Sequence, residues 1–197
     1  MHSEAFQSIV EFRRSNRKFD PEIEVPEEVM MRSLERTVLS PNSSNMQLWE
    51  FHWIHDKNLI QEFIPLCLGQ NAASSAKELV VFVTRRDLYK RRARWNKEQI
   101  LKHLGDREPN KIEKNGLNYY GKVMPLLYGR DIFGIHTLIR RSVCFFGGLF
   151  KPFMRFGGRN DQRIMVHKSC ALAAQTFMLS IAAEGFHTCP MEGFDKW

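Results

Sequence analysis

The sequence predicts an α+β domain. Two short runs of strand character, several amphipathic helical stretches and one long helix of small and apolar residues near the C-terminus carry that prediction. The 197 residues are enough to bury a core. With 43% apolar and 26% charged residues the composition is that of a globular chain, which excludes a disordered one. A net charge of +7 favours anionic partners without choosing among phosphates, nucleotides, nucleic acid and a membrane surface. Cys67, Cys144, Cys170 and Cys189 form no C-x-x-C pair, and "MHSEAFQSIVEF" lacks the basic start of a signal peptide. The expected setting is therefore cytoplasmic and reducing, with the thiols free.

Ser3 is placed to cap a first helix that ends near Ser15, with Phe6, Ile9, Val10 and Arg13 on one face. "VPEEVMMRSLERTVLS" predicts a second. Pro26 suits its first turn, Glu27 and Glu28 complement its dipole, and Met30, Leu34 and Val38 repeat at helical spacing. "SPNSSNMQ" is loop chemistry, and "LWEFHWIHD" alternates as a strand does. "KNLIQEFIPLCL" predicts a short helix. "ELVVFVTR" is a continuous apolar run, expected as a central strand buried on both faces.

Residues 86–128 are charged and helical in pattern, broken at "GDREPNK". In 132–157, Arg140 and Arg141 argue against a membrane span, and Gly147, Gly148 and Pro152 are expected to break any helix. That segment reads as a lid or packing element, with membrane-surface contact as the alternative. "HKSCALAAQTFMLSIAAEG" predicts a centrally buried helix closed by Gly185, and "FHTCP" a short strand after it.

Arg13, Arg14, Arg17 and Lys18 cluster in "FRRSNRKFD". Alone, such a run is most often a solvated face, although paired guanidinium donors suit phosphate oxygens. "YKRRARWNK" is a second basic run, equally readable as the exposed face of a helix, and no nucleic-acid module accompanies it. His167, Cys170, His187 and Cys189 read as packing residues, and no metal site is expected. P-loop, G-x-S-x-G, H-E-x-x-H and G-x-G-x-x-G spacings are all lacking.

Three stretches in order carry more than any one of them: "RRSNRKFD", "SPNSSNMQLWEF" and "GFHTCPMEGFD". Over residues 3–84 and 162–195 the chain resembles the nitroreductase family of FMN-dependent NAD(P)H oxidoreductases. The resemblance implies that family's α+β fold, a central, mostly antiparallel sheet flanked by helices with a long buried central helix. It implies one domain over 1–197, with a variable helical insertion or lid at about 86–161 and a C-terminal family segment missing after Trp197. It implies a homodimer with FMN at the interface and NADH or NADPH as reductant.

By the same resemblance, Arg13, Arg14 and Ser15 hold the FMN phosphate and ribityl chain, and Arg17 lies near the pyrimidine edge. Pro41, Asn42, Ser43 and Asn45 form a loop that reaches the neighbouring subunit's flavin, and Gln70 sets an amide against the ring. Pro190, Met191, Glu192 and Gly193 cover the isoalloxazine, with Glu192 and Gly193 beside N5. No side chain acts as a nucleophile, because the cofactor carries the hydride chemistry. The acceptor expected is a nitroaromatic, quinone or similar small molecule. The alternative is a non-catalytic flavin- or nucleotide-binding sensor that kept the fold.

Overall fold

A computed structural model of the chain describes residues 2–129, 133–153 and 158–195. In chain order its elements are α1 (His2–Phe12), α2 (Glu27–Val38), β1 (Trp49–Ile54), α3 (Lys57–Leu66), α4 (Asn71–Ser75) and β2 (Leu79–Thr84). There follow α5 (Tyr89–Leu104), α6 (Lys111–Asn118), a π-turn (Tyr119–Val123), α7 (Met124–Tyr128), α8 (Ile135–Phe150) and α9 (Arg159–Ala183). The chain divides into two compact units: residues 1–40, 50–83 and 171–197 form the first, and 41–49 with 84–170 the second.

In the first unit β1 and β2 form a two-stranded sheet. The Arg85 N–H donates to Leu48 O at 2.9 Å where β1 begins and β2 ends, so the pair is antiparallel. Side chains alternate across it. Trp53, Val80 and Phe82 face the buried cluster of Val29, Met30, Phe177 and Ile181 from α2 and α9. Ile54, Leu79 and Val81 face the other way, onto Ile60 and Phe63 of α3.

β2 departs from expectation, since only Leu79 is fully buried and the rest is half-covered. Packed layers bury a strand's faces, and α2 with α9 cover one face of β2 and α3 the other, but its edges need flanking strands. Here the described sheet supplies one neighbour.

α1 includes Ser3 in its first turn rather than using it as a cap, and it stops at Phe12, short of Ser15. The Arg13 N–H closes the last helical bond on Ile9 O, and Ser15 then pairs with Thr188 in a single parallel bridge. That tertiary pairing pulls the chain out of helical geometry. The bridge is also all that "FHTCP" contributes as strand. None of α1's residues is fully buried, and of its expected apolar face Ile9 is half-covered while Phe6 and Val10 are exposed.

α2 begins directly after Pro26, and its buried stripe is Val29, Met30, Ser33 and Thr37, whereas Val38 is exposed. The stripe is rotated because α2 meets α9 through hydroxyls. Ser180 Oγ bonds Ser33 Oγ at 3.0 Å, and Thr37 Oγ1 donates to Ser33 O at 2.6 Å. Arg32 and Arg36 then close on Glu184, at 2.8 and 2.7 Å.

The second unit packs Met46, Leu48, Tyr89, Ala93, Met124, Tyr128 and Val166 into its own core. The break at "GDREPNK" falls between α5 and α6, and α6 starts with a capping box between Asn110 and Glu113. α8 runs unbroken through Gly147 and Gly148, contrary to the composition. A Cβ on Gly147 would lie 2.8 Å from the Phe153 ring. The helix thus tolerates its glycines, at about 1 kcal/mol each against alanine, because one of them admits an aromatic ring.

α9 begins at Arg159, ahead of His167, and Gly185 ends it in the left-handed conformation. Its burial is one-sided. Ala173, Phe177 and Ile181 are covered while Ile164 and Leu172 are exposed, so the apolar residues on its other side lack a cover among the described residues.

Candidate functional site

The first unit brings two of the three motif stretches, the first and the last, together with Gln70. After the 15–188 bridge the Asn16 N–H donates to Thr188 O at 3.2 Å, and Phe12 stacks on His187 at 4.4 Å. Three residues later the Phe19 N–H donates to Ser75 Oγ at 3.0 Å. Residues 13–18 are therefore held at both ends, with Arg14, Ser15, Arg17 and Lys18 exposed and Arg13 and Asn16 half-buried.

Arg14 folds back, its Nη1 donating to Arg13 O at 2.8 Å and Val10 O at 3.2 Å, where the end of α1 leaves carbonyls unpaired. Among the described residues, no acidic side chain pairs with Arg13, Arg14, Arg17 or Lys18. Arg32, Arg36, Arg85 and Arg107 each meet a carboxylate, whereas this cluster, like Lys90, Arg91 and Arg94 on α5, meets none among the described residues. The cluster is a concentrated positive charge that the fold leaves uncompensated. Thr188 adds a buried hydroxyl with no partner among the described residues, next to Ser15.

Gln70 is placed by a tight turn. Pro65 sits in the last turn of α3, Leu68 and Gly69 take left-handed geometry, and Gln70 opens α4. Its Nε2 donates to Gly193 O at 2.7 Å and to Cys67 O at 3.1 Å. The amide thus holds the 190–193 loop rather than projecting freely.

Met191 packs against Ile54, Ile60 and Leu79, and the Asp195 N–H donates to Leu66 O at 2.7 Å, so the loop is anchored on either side of Gly193. Pro190, Glu192 and Gly193 are exposed. A Cβ on Gly193 would meet nothing closer than Gln70 Nε2 at 3.8 Å. The fold does not itself require glycine there, and the open space beside its Cα is available to a ligand. Burial pushes the Cys67 thiol pKa up, which disfavours the thiolate.

Pro41, Asn42, Ser43 and Asn45 lie in the second unit. Ser44, Asn45 and Gln47 all have positive φ without being glycine, a strained geometry that persists only when the surroundings hold it. The holding contacts are numerous. Asn42 Oδ1 accepts from Gln47 N at 2.9 Å, and Ser43 N donates to Ser169 Oγ at 3.3 Å. Ser44 Oγ meets Tyr119 OH at 2.6 Å, and Tyr120 OH donates to Ser44 O at 3.1 Å. Asn96 Nδ2 donates to Asn45 O at 3.0 Å, while Asn45 Nδ2 donates to Asn96 Oδ1 at 3.2 Å.

Asn96, Tyr119, Tyr120 and Ser169 were not singled out by sequence reasoning. One signal existed: asparagine is a poor helix former, so its place inside "RWNKEQ" hinted at a job for its amide. The rest of that basic run behaves as read. Lys90, Arg91 and Arg94 stand on the open side of α5, along a shallow concavity with Trp95 and Glu98. Neither this groove nor the cavity lined by Arg86, Arg163 and His167 contains a predicted site residue.

The arrangement defines an α+β protein with an uncompensated cationic turn joined to an anchored, glycine-bearing backbone loop. The chain belongs to the nitroreductase family, whose family model matches residues 10–196. It is 27% identical over 183 residues to Protein DrgA of Synechocystis, covering 93% of this chain and 69% of that protein. It is 24% identical over 189 residues to SH0546 of Staphylococcus haemolyticus, named as a candidate NAD(P)H nitroreductase, covering 93% and 72%. A solved structure from Exiguobacterium sibiricum, a nitroreductase candidate in complex with FMN, superposes with a TM-score of 0.60 at 21% identity. It covers 97% of this chain and 76% of that one.

Proposed function

We propose that the chain is an FMN-dependent oxidoreductase that works as a homodimer, taking hydride from NADH or NADPH and delivering it to a nitroaromatic, quinone or similar acceptor. The observation that carries the reading is the uncompensated cluster of Arg13, Arg14 and Arg17, tied through the 15–188 bridge to the segment bearing the 190–193 loop. The residues present fit FMN. A phosphate dianion would neutralise guanidinium groups that meet no carboxylate among the described residues, and the space beside Gly193 would admit a planar ring close to backbone. When bound, FMN would supply two-electron chemistry at N5, serving the two substrates by turns in one pocket.

The chain's own part is binding and tuning. Arg13, Arg14 and Ser15 would take the phosphate and ribityl chain. Arg17 would place positive charge where the reduced ring is negative. The backbone of Glu192 and Gly193 would address N5, held there by Gln70 and Met191. Pro41, Asn42, Ser43 and Asn45 would serve the partner's flavin from a loop whose strained shape is already set before binding. The apolar side of α9 that the described residues leave open supports a second copy as its cover.

The test is spectroscopic. Protein purified or reconstituted with FMN is expected to be yellow, and its flavin absorbance to bleach anaerobically with NADH or NADPH. Protein that stays colourless after reconstitution would overturn the reading. Yellow protein that neither nicotinamide reduces would leave a flavin-binding sensor instead.

A further inference from the structure

α8 presents the wrong side to solvent for a core helix. Its inner face is held by Arg140, which is buried and donates through Nη1 to Leu126 O at 3.1 Å and through Nη2 to Thr137 Oγ1 at 3.1 Å. Gly147 lies on the same inner face, where Phe153 packs back against it. With that side fixed, the outward side carries Ile135, Leu138, Ile139, Val143, Phe145, Phe146, Leu149 and Phe150, every one exposed. At 100° per residue these eight occupy roughly 160° of the helix circumference, interrupted only by Ser142. Phe133, 85% exposed, extends the patch before the helix begins. A continuous apolar face of this size is a contact surface.

Charge selects its occupant. Residues 133–153 contain no aspartate or glutamate, while Arg141 and Lys151 are exposed at the patch and His136 borders it. A second copy packed on this face would bring like charges together with no acid from the segment to meet them. An anionic lipid surface satisfies both features, since acyl chains receive the phenylalanines and headgroups meet the cations. The 16 residues of α8 reach only about 24 Å, less than the hydrocarbon thickness, so the helix suits lying in the interface and not crossing it.

We propose that α8 docks this protein on the surface of an anionic phospholipid bilayer, its apolar face in the headgroup–acyl boundary. The docking does not depend on the flavin reading, and either can fail while the other stands.

The experiment is co-sedimentation of the full chain with phosphatidylcholine vesicles, with and without phosphatidylglycerol. Binding is expected to the phosphatidylglycerol vesicles, and to weaken on Arg141→Glu. The double variant Phe146→Ser, Phe150→Ser alters side chains already in solvent, so the fold should hold. It is expected to lower the bound fraction's partition coefficient by about tenfold or more. Leu39→Ser, an exposed apolar residue on the first unit, is expected to change nothing. The circular dichroism spectrum reports that each variant is folded, and sedimentation velocity reports its mass.

No binding to phosphatidylglycerol vesicles would overturn the proposal, as would equal binding by the folded double variant. A fall in mass of the double variant without vesicles would overturn it too, by assigning the face to contact between copies.

Discussion

Gln70 gives the sharpest test of how the first unit prepares its binding edge. Gln70→Ala removes two donated hydrogen bonds, to Gly193 O at 2.7 Å and to Cys67 O at 3.1 Å. Each is worth about 0.5–1.5 kcal/mol net, and exposure at Gly193 lets water replace part of one, so about 1–2 kcal/mol of loop ordering is lost. If FMN binds only the ordered loop, affinity falls by about 5–30-fold. Titration of FMN fluorescence quenching measures this directly, with a thermal melt in parallel.

Gln70→Glu keeps the side-chain length but not the donors and should fail to restore binding. Gly193→Ala is the complement. Its new methyl finds only Gln70 Nε2 at 3.8 Å, so the melt should not move while FMN binding weakens. Wild-type affinity in Gln70→Ala, or a Gly193→Ala protein that binds FMN normally, would refute the reasoning that this loop receives the ring.

Asn96→Ala removes the clamp on the strained 42–47 loop, and a stability loss of about 1–3 kcal/mol in urea is expected, with new protease cleavage confined to that loop. Phe177→Ala opens the core between α2, α9 and the sheet, and should cost about 3–5 kcal/mol by the same measurement. Glu184 is held down to about 2 by hydrogen bonds from Arg32 and Arg36. A depressed carboxylate contributes stability above its unfolded pKa, near 4.5, and loses it as pH falls through about 2. Acid titration of stability should therefore be flatter over that window in Glu184→Gln than in the parent chain.

Elements whose character is local were legible in the chain. The proline and acids that open α2, the alternation in β1 and the glycine closing α9 act within a few residues, and each appears where its chemistry puts it. The three motifs named the family for the same reason, since motif residues are adjacent in sequence. Errors came where a neighbour decides. α2 turned its Ser33 and Thr37 inward because α9 offered Ser180, α1 ended early because Thr188 was there to pair, and α8 kept its glycines because Phe153 needed the room.

What the sequence singled out by itself was a set of positions: the cations at 13–17, the asparagine-rich loop at 41–47 and the glycine at 193. Only the tertiary structure decided what each one meets. Among the described residues it left the cations without acids, gave Gln70 to the backbone of Gly193, brought Asn96 from a basic helix to hold Asn45, and turned the apolar side of α8 outward. The physical reason is that propensity and pattern act over a turn or two of chain, whereas burial and pairing are settled between segments more than a hundred residues apart, as at Ser15 and Thr188.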